Sequence, residues 1–395
     1  MINYLVNLWL CIIAGGNGTR LFLYSNKDRP KQFCLLDKDH TFIQSTIERF
    51  MSFGIDPKHI VIIVTNDVQW DLAKEQTMER YGVLSSNIVK ISPDHGYAGA
   101  MVVATNHVYG SDPNAVVIST PSDQSVETNK NFYRVINAAI ENVSNNPDHV
   151  VFVGKPITDD SIVKDLGVFT YKETSETVVA MEEFYEKPQG ATLQKVLRGK
   201  YACNTGISVW NSAIFRPCLE MESREIATDE LIRELRARLN IDIVVGDFHW
   251  DDCGTFKALY RVNSYSSGSE VVVLGNAENV VYENCRQSLL ITDSSLEINV
   301  YGASDVAVIA REIEGHYYLE VAAFNYNQGV AEAAKIFEEN LAAFRAGITL
   351  GGRNNGLTTP REDIYHCCFI GVSNYKVHTY ERKSGKRGFQ VTFGC

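Results

Sequence analysis

Apolar residues fall along this chain in two rhythms. Continuous or nearly continuous apolar runs occur from Tyr4 to Ala14, from His59 to Thr65 (HIVIIVT) and from Ala115 to Thr120 (AVVIST), a length and character that suit strands buried on both faces of a parallel sheet. Between them the spacing predicts helices over 42–50, 72–81 and 98–108, with a short strand over 87–91. A helix over 131–143 and a strand over 150–154, closed by Lys155-Pro156, continue the series. Strand then helix, repeated, is the pattern of a doubly wound, Rossmann-like α/β sheet, and ligands of such sheets gather at the carboxyl ends of the strands.

From Ser266 the rhythm changes. Short, evenly spaced pieces at 271–274, 280–282, 288–292, 297–301 and 305–309 predict a small separate β domain. Phe324 to Gly347 has an amphipathic helical pattern, with Val330, Ala333, Ala334, Phe337, Leu341 and Phe344 on one face and Gly347 as its stop. The Gly-, Asn- and Thr-rich segment from Gly351 to Thr359 reads as a linker. Beyond it, 375–380 and 389–393 alternate in polarity around Ser384-Gly385 as a hairpin does. The expected division is 1–263, then 264–350 with its helix, then a 351–395 tail. That tail is assigned packing or dimerisation, which puts a homodimer among the expected partners.

Composition narrows the class. With 395 residues, 45% of them hydrophobic, the chain can bury a large core. A formal net charge of −11 argues against a nucleic-acid or anionic-membrane partner and requires that an anionic substrate be met by local positive charge. Nine cysteines without a Cys-x-x-Cys pair make neither a disulfide framework nor a zinc site, and point to a reducing cytoplasm. The apolar start lacks a basic leader and runs into glycines instead of a cleavage site, so it reads as a first strand with no membrane span.

Local positive charge is supplied directly after that strand, in CIIAGGNGTRLFLYSNKDRPKQF from Cys11 to Phe33. Gly15, Gly16 and Gly18 allow positive φ and close backbone approach to a ligand. Arg20 and Lys31 add a bidentate fork and a mobile point charge to oxygens already located by backbone amides. A P-loop would need Lys then Ser or Thr after its last glycine, where the chain has Thr19-Arg20-Leu21. The dinucleotide fingerprint would need a small residue at Leu21.

Gly15 to Leu21, followed by Lys27-Asp28-Arg29-Pro30-Lys31-Gln32-Phe33, resembles the signature of sugar nucleotidyltransferases, and specifically of mannose-1-phosphate guanylyltransferases. The family's Trp-Pro-Leu-Ser is replaced here by Phe22-Leu23-Tyr24-Ser25. Further motifs follow in family order. Pro121-Ser122-Asp123-Gln124 resembles Pro-Ala-Asp-His, and Gly96-Tyr97-Ala98-Gly99-Ala100 stands where the family has a nucleoside segment. Tyr97 can stack on a base there or pack in the core. Leu166-Gly167-Val168-Phe169, Glu186-Lys187-Pro188 and Cys203-Asn204-Thr205-Gly206 resemble the sugar motifs, and Trp250-Asp251-Asp252-Cys253-Gly254 resembles Trp-x-Asp-x-Gly.

The resemblance implies a GT-A-like nucleotidyltransferase domain followed by a β-helix-like domain. It implies Ala14, Gly15, Gly16, Gly18 and Thr19 at the nucleotide, Arg20 and Lys31 as catalytic cations, and Gly167, Glu186, Lys187 and Asn204 at the sugar phosphate. Asp123 and Asp252 would hold Mg²⁺, a cation that prefers hard oxygen ligands. The implied substrates are GTP and mannose 1-phosphate, with another nucleotide and sugar pairing as the alternative. A non-catalytic nucleotide-sugar-binding regulator is a reading from a different class. The attacking sugar phosphate is already an anion, so no general base is needed, and the chemistry reduces to positioning and charge neutralisation.

Overall fold

The computed structural model describes residues 7–16, 18, 21, 24–172, 176–213, 228–292, 296–313, 316–324, 357–358, 365–370, 372, 374–381 and 386–394. They form two compact units, one of residues up to Gly16 with Ile43–Trp250, the other of Asn17–Phe42 with Asp251 onward.

In the first unit the strands are β1 (Leu8–Ile13), β2 (Ile60–Val64), β3 (Ile88–Lys90), β4 (Val116–Pro121), the two-residue β5 (Ser125–Val126), β6 (His149–Lys155), β7 (Gly167–Tyr171), β8 (Val178–Glu186), β9 (Lys200–Asn211) and β10 (Asn240–Val245). The helices are α1 (Phe42–Ser52), α2 (Asp67–Tyr81), α3 (Gly96–Ser111), α4 (Lys130–Asn145), α5 (Gly190–Leu197) and α6 (Thr228–Arg236). One nine-stranded sheet runs in the order β3-β2-β1-β4-β9-β6-β10-β8-β7. Trp9 and Cys11 of β1 pack with α3 and α6 on one face, and Leu10 and Ile12, which alternate with them, are equally buried on the other. The unbroken apolar runs of β1, β2 and β4 are the consequence of burial from both sides.

The sheet is mixed instead of uniformly parallel. Pairs β3-β2, β2-β1, β1-β4 and β6-β10 are parallel, whereas β9 runs antiparallel to β4, β6 and β7, and β8 antiparallel to β7 and β10. Strands β7 and β8 close one end of this sheet, and β8 mixes exposed and buried positions, as a strand with one covered face does. Helix α2 begins at Asp67, five residues before the expected start, because the Asn66 side chain accepts from the Gln69 N–H and supplies an N-cap.

After its earlier passage through Asn17–Phe42, the chain returns to the second unit within β11 (Trp250–Asp251). There follow α7 (Phe256–Ser267), β12 (Val271–Gly275), β13 (Val280–Glu283), β14 (Ser288–Thr292), β15 (Leu296–Tyr301), β16 (Val306–Ile313), β17 (His316–Ala323), β18 (Leu357–Thr358), β19 (Tyr365–Ile370), β20 (Tyr375–Glu381) and β21 (Arg387–Phe393). Two five-stranded sheets result, β12-β14-β16-β17-β19 and β13-β15-β21-β20-β18. Val300, Leu319, Phe389 and Val391 belong to one buried cluster. A second joins Leu274 and Ile309 to Leu259 of α7 and to Leu21, Tyr24 and Phe42.

Strands β20 and β21 form the expected antiparallel hairpin, and β21 also pairs in parallel with β15. The helix expected over 324–347 lies, after Phe324, outside the described residues. Among the described residues no helix is long and apolar enough to cross a membrane.

Candidate active site

In the first unit the glycine loop and Asp123 leave neighbouring strands at the same edge. Ile13 pairs with Pro121 in the parallel ladder of β1 and β4. Ser122, buried just past β4, donates through Oγ to the Ile13 carbonyl at 2.8 Å. Ala14, the first loop residue, is anchored by its N–H on the Ile63 carbonyl at 2.8 Å and is buried. Asp123 follows as a half-buried carboxylate, and Gln124 beside it accepts from Trp250 Nε1 at 3.0 Å. A Cβ on Gly15 would fall 2.6 Å from Thr65 Cγ2, so the loop lies too close to β2 for any larger residue. Thr19 and Arg20, expected at the nucleotide, lie outside the described residues.

The second unit brings together two residues far apart in sequence. Lys31 is buried and its ammonium donates to the backbone carbonyl of Asp252, with its nitrogen 5.1 Å from the centre of the Phe42 ring. Gly18 has φ +60, and a Cβ there would fall 2.5 Å from Lys31 Cβ. The Asp252 carboxylate accepts from the Gly254 N–H at 3.1 Å through Oδ1. The turn around it is tightly made. Cys253 is buried with φ 45, a left-handed conformation that costs a non-glycine residue energy. Asp251 Oδ1 holds the Cys253 N–H at 2.8 Å, and Asp251 Oδ2 forms an ion pair with Arg261 of α7. Asp251 and Arg261 carry no sequence signal of their own, apart from the doubled aspartate.

The expected sugar residues converge at one corner of the first unit. Gly167 pairs with Glu186 across β7 and β8, and a Cβ on Gly167 would stand 2.9 Å from Glu186 Oε2. Next along the chain, Lys187 adopts φ 47 while its N–H donates to the Leu166 carbonyl at 3.0 Å, and its ammonium lies 3.6 Å from Glu186 Oε1. On the other side of β7, Val168 pairs with Cys203, which sets Gly167 and Asn204 side by side where that ladder ends. Asn204 Oδ1 accepts from the Gly206 N–H at 2.9 Å, so its amide nitrogen is the end left to meet a ligand oxygen.

Tyr97, in the first turn of α3, packs against the core, and its hydroxyl donates to the Gly206 carbonyl at 2.7 Å. Burial pushes its pKa above the ordinary tyrosine value, and the charge of Asp123 adds to the shift. Gly206 has φ +76, and a Cβ there would meet Pro121 Cγ at 2.6 Å. The middle of β9 at Gly206, the end of β4 and the start of α3 are therefore one packed junction.

A glycine loop and a carboxylate thus stand together at the carboxyl edge of an α/β sheet, where ligands of such sheets gather. Residues 10–267 match the Nucleotidyl transferase family. The chain belongs to that family and is a nucleotidyltransferase. Among curated relatives, the mannose-1-phosphate guanylyltransferase of Escherichia coli is 24% identical over 336 residues, which span 75% of this chain and 69% of that protein. The corresponding Sinorhizobium fredii protein is 26% identical over 340 residues, 76% of this chain and 63% of its own. In fold, the chain is similar to a Thermus thermophilus protein described as a mannose-1-phosphate geranyltransferase. The TM-score is 0.64 at 21% identity, with 84% of this chain and 100% of that one covered.

Proposed function

We propose that this nucleotidyltransferase joins a nucleoside monophosphate, GMP in the first instance, to a sugar 1-phosphate, mannose 1-phosphate in the first instance. A phosphate oxygen of the sugar attacks the α-phosphorus of the triphosphate, the bond from that phosphorus to the bridging oxygen breaks, and pyrophosphate leaves. The observation that carries the reading is the corner formed by Gly167, Glu186, Lys187 and Asn204. It combines a carboxylate and an amide suited to hydroxyl groups with an ammonium suited to a phosphate. The names of the relatives favour mannose and guanine.

Asp123 and Asp252 are the carboxylates proposed to bind Mg²⁺. Their donor chemistry fits, since carboxylate oxygens suit a hard cation and each stands in a turn whose backbone is fixed by its neighbours' hydrogen bonds. Bound Mg²⁺ would neutralise phosphate charge. Lys31 carries a full charge at a fixed position for the same purpose, and the glycine loop presents amides to the triphosphate. No side chain is needed to remove a proton from the nucleophile. The alternation of β12 to β16 between two sheets, with parallel pairing inside each, supports reading the second unit as β-helix-like.

The test is a matrix of the four common nucleoside triphosphates against several sugar 1-phosphates with Mg²⁺, read as pyrophosphate release. GTP with mannose 1-phosphate is expected to give the highest kcat/KM. Preference for another pair corrects the specificity, and no release with any pair overturns the reading.

A further inference from the structure

Gln69, in the first turn of α2, is completely buried, and its amide is used at both ends. Oε1 accepts from the Thr65 N–H at 2.8 Å. Because that donor is a backbone N–H, the other end of the amide must be nitrogen. Nε2 donates to the Gly15 carbonyl at 3.2 Å and to the Gly16 carbonyl at 3.3 Å. Thr65 Oγ1 stands 3.1 Å from the Gly15 carbonyl and 3.0 Å from Gln69 Oε1, with one proton to give to either. The carbonyl and N–H of a planar trans peptide point in opposite directions. Holding the Gly15 carbonyl toward α2 therefore turns the Gly16 N–H to the opposite side of the loop. A peptide between two glycines has little steric preference of its own, so this orientation has to be imposed from outside.

We propose that Gln69 is the positioning residue of the glycine loop. By holding the Gly15 and Gly16 carbonyls it sets the course of the loop backbone before the triphosphate arrives. The inference rests on the nucleotidyl-transfer reading. Gln69 itself touches no substrate, and its effect is preorganisation, which acts on triphosphate affinity and leaves the sugar corner alone.

The test compares the parent with Gln69→Glu, which keeps the shape and the Thr65 contact but has at most one proton for the two carbonyls and none when ionised, and with Gln69→Met, which fills the volume without polar atoms. KM for the triphosphate is expected to rise about tenfold or more, corresponding to about 1.4 kcal/mol or more. KM for the sugar 1-phosphate should stay within about twofold. The rise in melting temperature that the triphosphate alone produces in the parent should shrink in both variants. Unchanged triphosphate KM and thermal shift in both variants would overturn the proposal. So would an equal rise in both KM values with a lower unliganded melting temperature, the signature of a merely structural role. A parent that releases no pyrophosphate counts against the functional reading, and the triphosphate-induced thermal shift then decides the role of Gln69 by itself.

Discussion

At Lys31 the ammonium is held by a backbone carbonyl, so the charge stays in place whatever becomes of the Asp252 carboxylate. Asp252→Asn therefore removes a carboxylate charge while keeping the Lys31 anchor, and Lys31→Ala removes the cation itself. Each is expected to lower kcat by about two to three orders of magnitude, as losing one charged contact at a reacting phosphorus does. Steady-state pyrophosphate release with circular dichroism as a folding control measures it, and near-parental turnover in both would refute the roles. Glu320 makes a different case. It is buried on β17 between Ile309 of β16 and Cys368 of β19, and neither of its oxygens has a hydrogen-bond partner among the described residues. Burial pushes its pKa up to about 8. An unfolded glutamate titrates near about 4.3. Between those values the folded chain holds a proton that the unfolded chain has lost, so its contribution to stability is intact at pH 4 and is lost as pH rises through about 8. Melting temperatures from pH 5 to 8.5 should fall more steeply in the parent than in Glu320→Gln, and parallel curves would refute the buried acid. Lys31 and Asp252 stood out in the sequence as candidates because each sits in a long motif, and the structure places them in contact. Gln69 and Glu320 did not, since each falls between the expected elements and a single polar residue says nothing about what its side chain meets.

Among elements, the turn carrying Asp252 depends on the helix after it. Arg261 is exposed on α7, and its partner Asp251 is buried with one oxygen already capping the strained Cys253. Removing the guanidinium by Arg261→Ala leaves a buried carboxylate short of a partner, at an expected cost of about 1–3 kcal/mol, reduced by the solvent that reaches the arginine. Asp251→Asn should be milder than Asp251→Ala, because an asparagine oxygen can still accept from the Cys253 N–H. Thermal melting ranks the three, and equal losses for Asn and Ala would remove the capping role. This helix was not evident in the sequence. FKALYRVNSYSS ends in serines, which are weak helix formers, and its start is set by a Thr255 cap on the Ala258 N–H at 3.1 Å. By contrast β1, β2 and β4 were legible because burial on both faces leaves an unbroken apolar run. The antiparallel course of β9 was not, since strand direction depends on partners far along the chain.

Across the whole molecule, the described residues after 356 are bound into the second unit. Strand β19 is the outer partner of β17, and β21 lies between β15 and β20. From this segment Val377, Phe389 and Val391 enter the buried cluster that holds Val300 and Leu319. Each such side chain contributes about 1.5–3 kcal/mol by burial, and three of them together rival the total stability of a typical domain, about 5–15 kcal/mol. A chain ended at residue 356 would also leave β15 and β17 with unpaired edges, an invitation to aggregate. The truncated protein is therefore expected to be insoluble or to lose the second unit to limited proteolysis. Phe389→Ala alone, at a cost of about 3–5 kcal/mol, should lower the melting temperature while leaving a soluble enzyme. A truncated chain that stays soluble and melts with the parent would show that the two sheets close without these strands. The sequence suggested a separate hairpin after a linker because local alternation reveals β20 and β21 but not the distant partner β15.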